Sequence, residues 1–307
     1  MSYTLQTLGL EKTIKERTVI SNLDIHIREG EIYGFLGPNG AGKTSVMKMI
    51  MNFWKPTGGT IEVFGNRLTP TSYEVLRKIG GVIEYPVFYN YLSGEDNLKL
   101  HCKYSGYDNY QGIENVLDLF GLLEIAKNPV EQYSLGMKQR LALARAVITK
   151  PEFLILDEPM NGLDPIGIKQ IRDLFCMLKK ELGVTIMIST RILSEIEDIV
   201  DTVGIINCGR MVKEISMNEI TQIQSSYIEI GVQDVRNAVQ SLEDMLPRDK
   251  WRIAGKNKLC VYSEMYTPQE IFKTLMLREN EIFSIVKKSN NLEDYFMHII
   301  GECEKNG

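Results

Sequence analysis

An α/β fold built on a largely parallel, covered sheet, with a smaller α+β module after it, is what the amino-acid sequence predicts. Three observations carry that expectation. From residue 152 onward short apolar stretches alternate with helical patterns, as they do when helices cover both faces of a sheet. Near 221–226 the pattern restarts. And a glycine-rich turn, "GPNGAGKT" (37–44), stands between a strand and a helix.

The elements follow in order. The first 87 residues read as short strands at 3–8, 19–27, 31–37 and 59–65. Over 21–27 the alternation is clean, with Leu23, Ile25 and Ile27 on one face and Asn22, Asp24 and His26 on the other. From Leu92 to Lys150 the texture turns helical. Ser93 and Asp96 form a capping pair that opens a helix at 94–104, and helices follow at 111–120 and 135–149. Next come a strand at 152–156, a helix at 165–182, a strand at 184–189, a helix at 192–200 and strands at 202–207 and 210–214. After the restart, strands are expected near 227–232, 251–254, 258–262 and 281–286, with helices near 233–245, 267–278 and 291–303. The last helix sets Leu292, Tyr295, Phe296, Ile299 and Ile300 on one apolar face. Two domains are therefore expected, 1–220 and 221–307.

Composition removes several classes of function. The 307 residues are 44% hydrophobic and 24% charged, enough for a sizeable core in a soluble globular protein. A net charge of −5 argues against a general nucleic-acid binder. No stretch approaches the ~20 apolar residues of a membrane span. The start, "MSYTLQTLGLEKT", lacks a basic segment followed by an apolar one, so no secretory signal is expected. Five scattered cysteines without a CxxC fit reduced cytosolic thiols and neither a disulfide framework nor a zinc site. The three histidines, His26, His101 and His298, stand away from every acidic or glycine-rich motif.

The turn at 37–44 fits G-x-x-x-x-G-K-S/T in its required strand-to-helix context. Across Gly37, Pro38, Asn39, Gly40, Ala41, Gly42, Lys43, Thr44 and Ser45 the glycines let backbone N–H groups turn toward phosphate oxygens, and the following helix adds its N-terminal dipole. Lys43 is placed to reach the β- and γ-phosphates of ATP, and the Thr44 hydroxyl to ligate Mg²⁺. In "FLILDEP" (153–159) an apolar strand ends in Asp157, expected beside that Mg²⁺ with Thr44, and then in Glu158. Neighbouring strand residues point opposite ways, so one carboxylate can serve the metal while the other orients an attacking water. In "YSLGMKQRLALARAV" (133–147) Ser134 and Gly136 sit at a helix start, where a hydroxyl and free N–H groups make an anion site.

Together with "NGLD" (161–164), these motifs resemble the ATPase subunit of an ABC transporter over roughly residues 1–220. The resemblance implies a P-loop core with an antiparallel β-subdomain and a helical subdomain near 88–150, to which this chain adds the C-terminal module. It also implies ATP hydrolysis, separate transmembrane permease subunits, a place on the inner face of the cell membrane, and no nucleic-acid partner. In that family two subunits, identical or homologous, pair head to tail around two ATPs. Ser134, Leu135, Gly136 and Met137 then fall in the signature that meets the partner's ATP, and Asp164 in the loop that crosses between subunits. The family's signature reads Leu-Ser-Gly-Gly-Gln; here Tyr133, Leu135 and Met137 depart from it. In "GGVIEYPVFYNYLSGEDNL" (80–98) Glu84 holds the place of a Mg²⁺-sensing glutamine, which resembles the branch that exports, or gives immunity to, peptide antibiotics such as lantibiotics and bacitracin. The closing "LEDYFMHIIGE" (292–302) looks like the tail of the same branch.

Two positions bear on rate and affinity. Ile14 aligns where an aromatic side chain of the family stacks on adenine, implying weaker base binding unless a neighbour such as Tyr3 substitutes. Arg191, after the strand "VTIMIS", replaces a histidine that contacts the γ-phosphate and the attacking water. An arginine cannot release a proton, so a proton relay is lost; it can donate to phosphate oxygens or fork onto Glu158 and hold it idle. The expectation is an ATP site with slowed chemistry. A regulatory ABC ATPase that dimerises on ATP and hydrolyses slowly or not at all is the alternative.

Overall fold

The computed structural model describes residues 2–107, 111–223, 227–243, 245–262 and 266–288, and the chain falls into two compact units that divide after Met217. The first opens with a long hairpin. β1 (Tyr3–Ile14) and β2 (Arg17–Arg28) pair antiparallel up to the rung Ile14–Arg17, and Lys15 and Glu16 between them both take left-handed φ, 45° and 68°. Two such residues give the turn whose twist suits a hairpin. Both strands are longer than the sequence suggests, because a Lys-Glu turn without glycine does not announce itself. Leu23, Ile25 and Ile27 are fully buried in β2, while Asn22, Asp24 and His26 stay exposed or half-buried.

β3 (Ile32–Leu36) is buried at every position, and the loop after it leads into α1 (Lys43–Ile50). β4 (Gly58–Val63) and β5 (Asn66–Arg67) return to the hairpin and complete an antiparallel sheet in the order β2-β1-β4-β5. One turn of helix, α2 (Tyr73–Leu76), precedes β6 (Ile79–Val82). A helical group follows: α3 (Gly94–Ser105), α4 (Gly112–Leu119) and α5 (Leu135–Val147). Ser93 caps α3 by accepting the Asp96 N–H at 3.0 Å. Then come β7 (Phe153–Asp157), α6 (Pro165–Leu182), β8 (Thr185–Thr190), β9 (Thr202–Asn207) and β10 (Arg210–Ser216). These strands form a six-stranded sheet in the order β10-β9-β3-β8-β7-β6, parallel except for β10. Every residue of β7 and β8 is buried, as strands covered on both faces require. Phe35, Phe153, Ile155 and Met187 of this sheet share one core with the inner face of the hairpin and with Val46, Met47, Met49 and Ile50 of α1.

One expectation needs correction. No helix spans 192–200: the chain makes a single 3-10 turn at Leu193–Glu195 and then further tight turns. Thr190 redirects it, accepting the Ile192 N–H at 3.0 Å and donating to Glu195 Oε2 at 2.7 Å. The β-branched Ile196 and Val200 pack where Gly34 leaves room, since a Cβ there would sit 2.7 Å from Ile196 Cδ1. β6 is a strand beyond those expected, and it carries the pair Gly80–Gly81. Glycine serves a close approach there: a Cβ on Gly80 would lie 2.2 Å from the Ala146 carbonyl oxygen of α5.

After α7 (Met217–Ile223), the second unit runs β11 (Tyr227–Val232), α8 (Val235–Leu242), β12 (Trp251–Gly255), β13 (Lys258–Val261), α9 (Pro268–Leu277) and β14 (Ile282–Lys288). Its antiparallel sheet has the order β12-β13-β11-β14, the split βαβ arrangement of ferredoxin-like modules. Val235, Ala238, Leu242, Ile271 and Leu275 from the helices cover Ile228, Ile230, Val232, Leu259 and Val261. The helix expected at 291–303 lies outside the described residues. Among those described, no helix is long and apolar enough to cross a membrane.

Candidate nucleotide site

The phosphate loop is tied down on both sides. The Gly37 N–H donates to the Thr190 carbonyl at the end of β8 (3.4 Å), and the Gly209 N–H to the Ala41 carbonyl (2.9 Å). Glycine is needed twice. At Gly37 a Cβ would lie 2.4 Å from the Ile206 carbonyl oxygen; Gly42 has φ 110° and would strike Ile20 Cδ1 at 2.5 Å. Gly42 caps α1 without any side-chain bond, so the first N–H groups of the helix remain available to an anion. Residues 38–45 line a cleft of about 560 Å³ together with Arg17, Thr18, Val19, Glu158 and Cys208.

Lys43 is only 6% exposed and bends back over the loop, donating to the Gly37 carbonyl at 2.6 Å and the Pro38 carbonyl at 3.3 Å. Burial pushes its ammonium below the ordinary lysine value, against the opposing pull of Glu158 and then Asp157. A buried cation short of compensating charge favours anionic oxygen in its cavity.

The register of β7 on β8 sets Asp157 opposite Ser189. The Ser189 hydroxyl donates to Asp157 Oδ1 at 2.5 Å and the Thr44 hydroxyl to Oδ2 at 2.7 Å, so α1, β7 and β8 meet on one buried carboxylate. This pairing of a hydroxyl with a carboxylate is an oxygen donor set that suits Mg²⁺, which takes one or two protein carboxylates and completes its shell with phosphates and water. No cluster of three acidic, histidine or cysteine ligands exists among the described residues. Any cation here would depend on such outside oxygens.

Glu158 leaves the strand in a left-handed conformation (φ 47°), fixed by its N–H donating to the Ser189 carbonyl (3.1 Å) and Oγ (3.0 Å). Its carboxylate accepts from Asn161 Nδ2 at 2.7 Å and lies 3.6 Å from Arg191 Nε and 3.8 Å from Lys43 Nζ. A second cleft, about 640 Å³, brings Thr44, Asp157, Glu158 and Arg191 together with Glu84 and Leu135. Glu84 is more than half exposed and receives a hydrogen bond from Lys48 at 2.5 Å.

The remaining candidates lie elsewhere. Ser134 caps α5 by accepting the Met137 N–H at 3.2 Å, and Gly136 packs against the Gly162 carbonyl. Ser134, Gly136 and Met137 line neither cleft. Asp164 caps α6, accepting from the Gly167 N–H at 2.9 Å. Ile14 is outside the phosphate-loop cleft, and Tyr3 pairs with Arg28 at the opposite end of the hairpin and packs on His26.

The family model for ABC transporters matches residues 20–161. The bacitracin transport ATP-binding protein of Bacillus licheniformis is 40% identical to this chain, over 98% of each. The chain belongs to the ABC transporter ATP-binding proteins. As an ABC ATPase subunit it is also 50% identical, over 98% of each chain, to an uncharacterised ABC transporter ATP-binding protein of Bacillus subtilis. It is 44% identical to the lantibiotic transport ATP-binding protein of Streptococcus pyogenes over 68% of this chain and 90% of that one. Among solved structures, an ATP-binding subunit of an ABC transporter superposes with a TM-score of 0.65 at 27% identity, covering 72% of this chain and 92% of its own. A dimeric cassette bound to ADP and phosphate shares the fold at a TM-score of 0.64 and 23% identity, covering 69% of this chain and 98% of its own. This ABC subunit therefore extends beyond those cassettes.

Two polar partners of the site escape sequence reasoning. Ser189 is visible only as a strand-end serine until the β7–β8 register pairs it with Asp157. Asn161 sits in the quoted "NGLD", yet nothing in the spacing says that it turns back onto Glu158.

Proposed function

We propose that this ABC subunit hydrolyses ATP with Glu158 orienting the attacking water, and that it drives a permease moving a peptide antibiotic of the bacitracin or lantibiotic kind. The reading rests on one observation above the rest: a Thr44–Asp157–Ser189 chain centred on a buried carboxylate at the mouth of the phosphate loop, with Glu158 directly beside it. The loop from Gly37 to Ser45 cradles the phosphates, and Lys43 leaves the Gly37 and Pro38 carbonyls to reach the β- and γ-phosphates. Thr44 and Asp157 would hold Mg²⁺, with Glu84 nearby; the ion's chemistry is to neutralise charge on the phosphate oxygens. Ser189 keeps Asp157 oriented. Asn161 and Arg191 set the direction of the Glu158 carboxylate.

The placement of Ser134, Gly136 and Met137 outside both clefts favours their use on the ATP of a second subunit, with Asp164 in the loop between the two. The bacitracin and lantibiotic relatives support the substrate class, a permease partner and a place on the inner membrane face. They also favour transport over a slow regulatory ATPase.

Replacing Glu158 with Gln tests the assignment in purified protein. ATP affinity stays and turnover falls by orders of magnitude. Turnover within two-fold of the parent, a barrier change below ~0.5 kcal/mol, removes Glu158 from the role.

A further inference from the structure

Among the described residues no aromatic side chain lines the phosphate-loop cleft, and Ile14 lies outside it. Arg17 stands in that lining instead. It faces Ile14 across the last rung of the hairpin, so the same left-handed turn at Lys15 and Glu16 that ends β1 sets the arginine's position. β2 is held against the cradle three and four residues further on, where Ile20 packs on Gly42 and the Ser21 N–H donates to the Gly209 carbonyl at 2.9 Å. Residues two apart on a strand share a face, so Arg17 follows Val19 along one wall, roughly ~7 Å beyond it at ~3.3 Å per residue. The cleft lining runs from the cradle past Val19 and Thr18 to Arg17, the direction open to the ribose and base of a nucleotide whose phosphates fill the cradle.

The arginine is uncommitted. It is exposed and makes no side-chain hydrogen bond or ion pair with any described residue. A guanidinium is planar, weakly hydrated and stacks on aromatic faces, which a lysine ammonium does not do. We infer that Arg17 stacks on the nucleobase of bound ATP and supplies the base affinity that Ile14 cannot. This rests on the nucleotide site proposed above.

Binding of Mg–ATP and of Mg–tripolyphosphate, which has phosphates and no base, is measured by calorimetry on the full chain and its variants. Arg17→Ala weakens ATP binding by about ten-fold, the order that one lost base-stacking partner costs, and leaves tripolyphosphate within two-fold. Arg17→Lys, which keeps the charge and loses the flat face, behaves like alanine. Arg17→Trp restores ATP affinity. The inference is overturned if Arg17→Ala leaves ATP affinity unchanged, if it weakens tripolyphosphate as much as ATP, or if Ile14→Ala carries the loss. A parent protein that binds neither ligand overturns the nucleotide site itself, and the inference with it.

Discussion

Glu158 has three partners, and their distances rank them. The Asn161 amide is at 2.7 Å, whereas the half-exposed Arg191 guanidinium is at 3.6 Å and Lys43 at 3.8 Å. An ion pair as exposed as Arg191–Glu158 is worth ~0.2–1 kcal/mol. Freeing the carboxylate from it can therefore raise turnover by at most about five-fold. Arg191→His is expected to speed phosphate release within that bound; a slower variant means that arginine acts on the phosphates. Asn161→Ala makes the complementary test and lowers turnover, because the shortest contact on the carboxylate is lost. The close arrangement around Asp157 follows the same logic: two hydroxyl donors from two different elements hold one buried carboxylate where neither element could do so alone.

At the scale of elements, the junction of β6 and α5 decides where Glu84 stands, since β6 ends at Val82, two residues before it. Gly80→Ala would put a methyl against the Ala146 carbonyl, an overpacking that costs ~1–3 kcal/mol. The expected outcome is a melting temperature lower by about 5 °C, read by circular dichroism; an unchanged value would mean that β6 shifts freely. Elements were legible where side-chain periodicity alone defines them. Leu23, Ile25 and Ile27 showed the inner face of β2, and the glycines with Lys43 and Thr44 showed the phosphate loop. They were illegible where a neighbour decides: Gly80 is a strand residue through the pairing of β6 with β7, and residues 192–200 form turns where Thr190 bonds Ile192 and Glu195. The site divides the same way. Asp157 and Glu158 could be read from a strand end, but Ser189 needed the sheet order and Arg17 needed the length of the hairpin.

For the whole molecule, the role proposed for Glu84 is tested in the assembly with a permease. Tyr85, Val87 and Tyr91 are each more than 70% exposed, an apolar display that isolated subunits leave in water. Glu84→Gln should change the ATPase activity of the isolated subunit little while altering antibiotic protection in cells that carry the permease. Equal losses in both assays would restrict Glu84 to the chemistry, and no loss in either would leave it paired with Lys48 and nothing more. The left-handed backbone of Glu158 bears on how this protein can evolve. A glutamate there is strained by ~1–2 kcal/mol, and asparagine tolerates the same conformation far better. Glu158→Asn should melt as high as the parent or about 2 °C higher while its turnover is lost. Selection for heat resistance alone would therefore drift toward a sturdier, idle protein, and only continued demand for transport keeps the carboxylate in place.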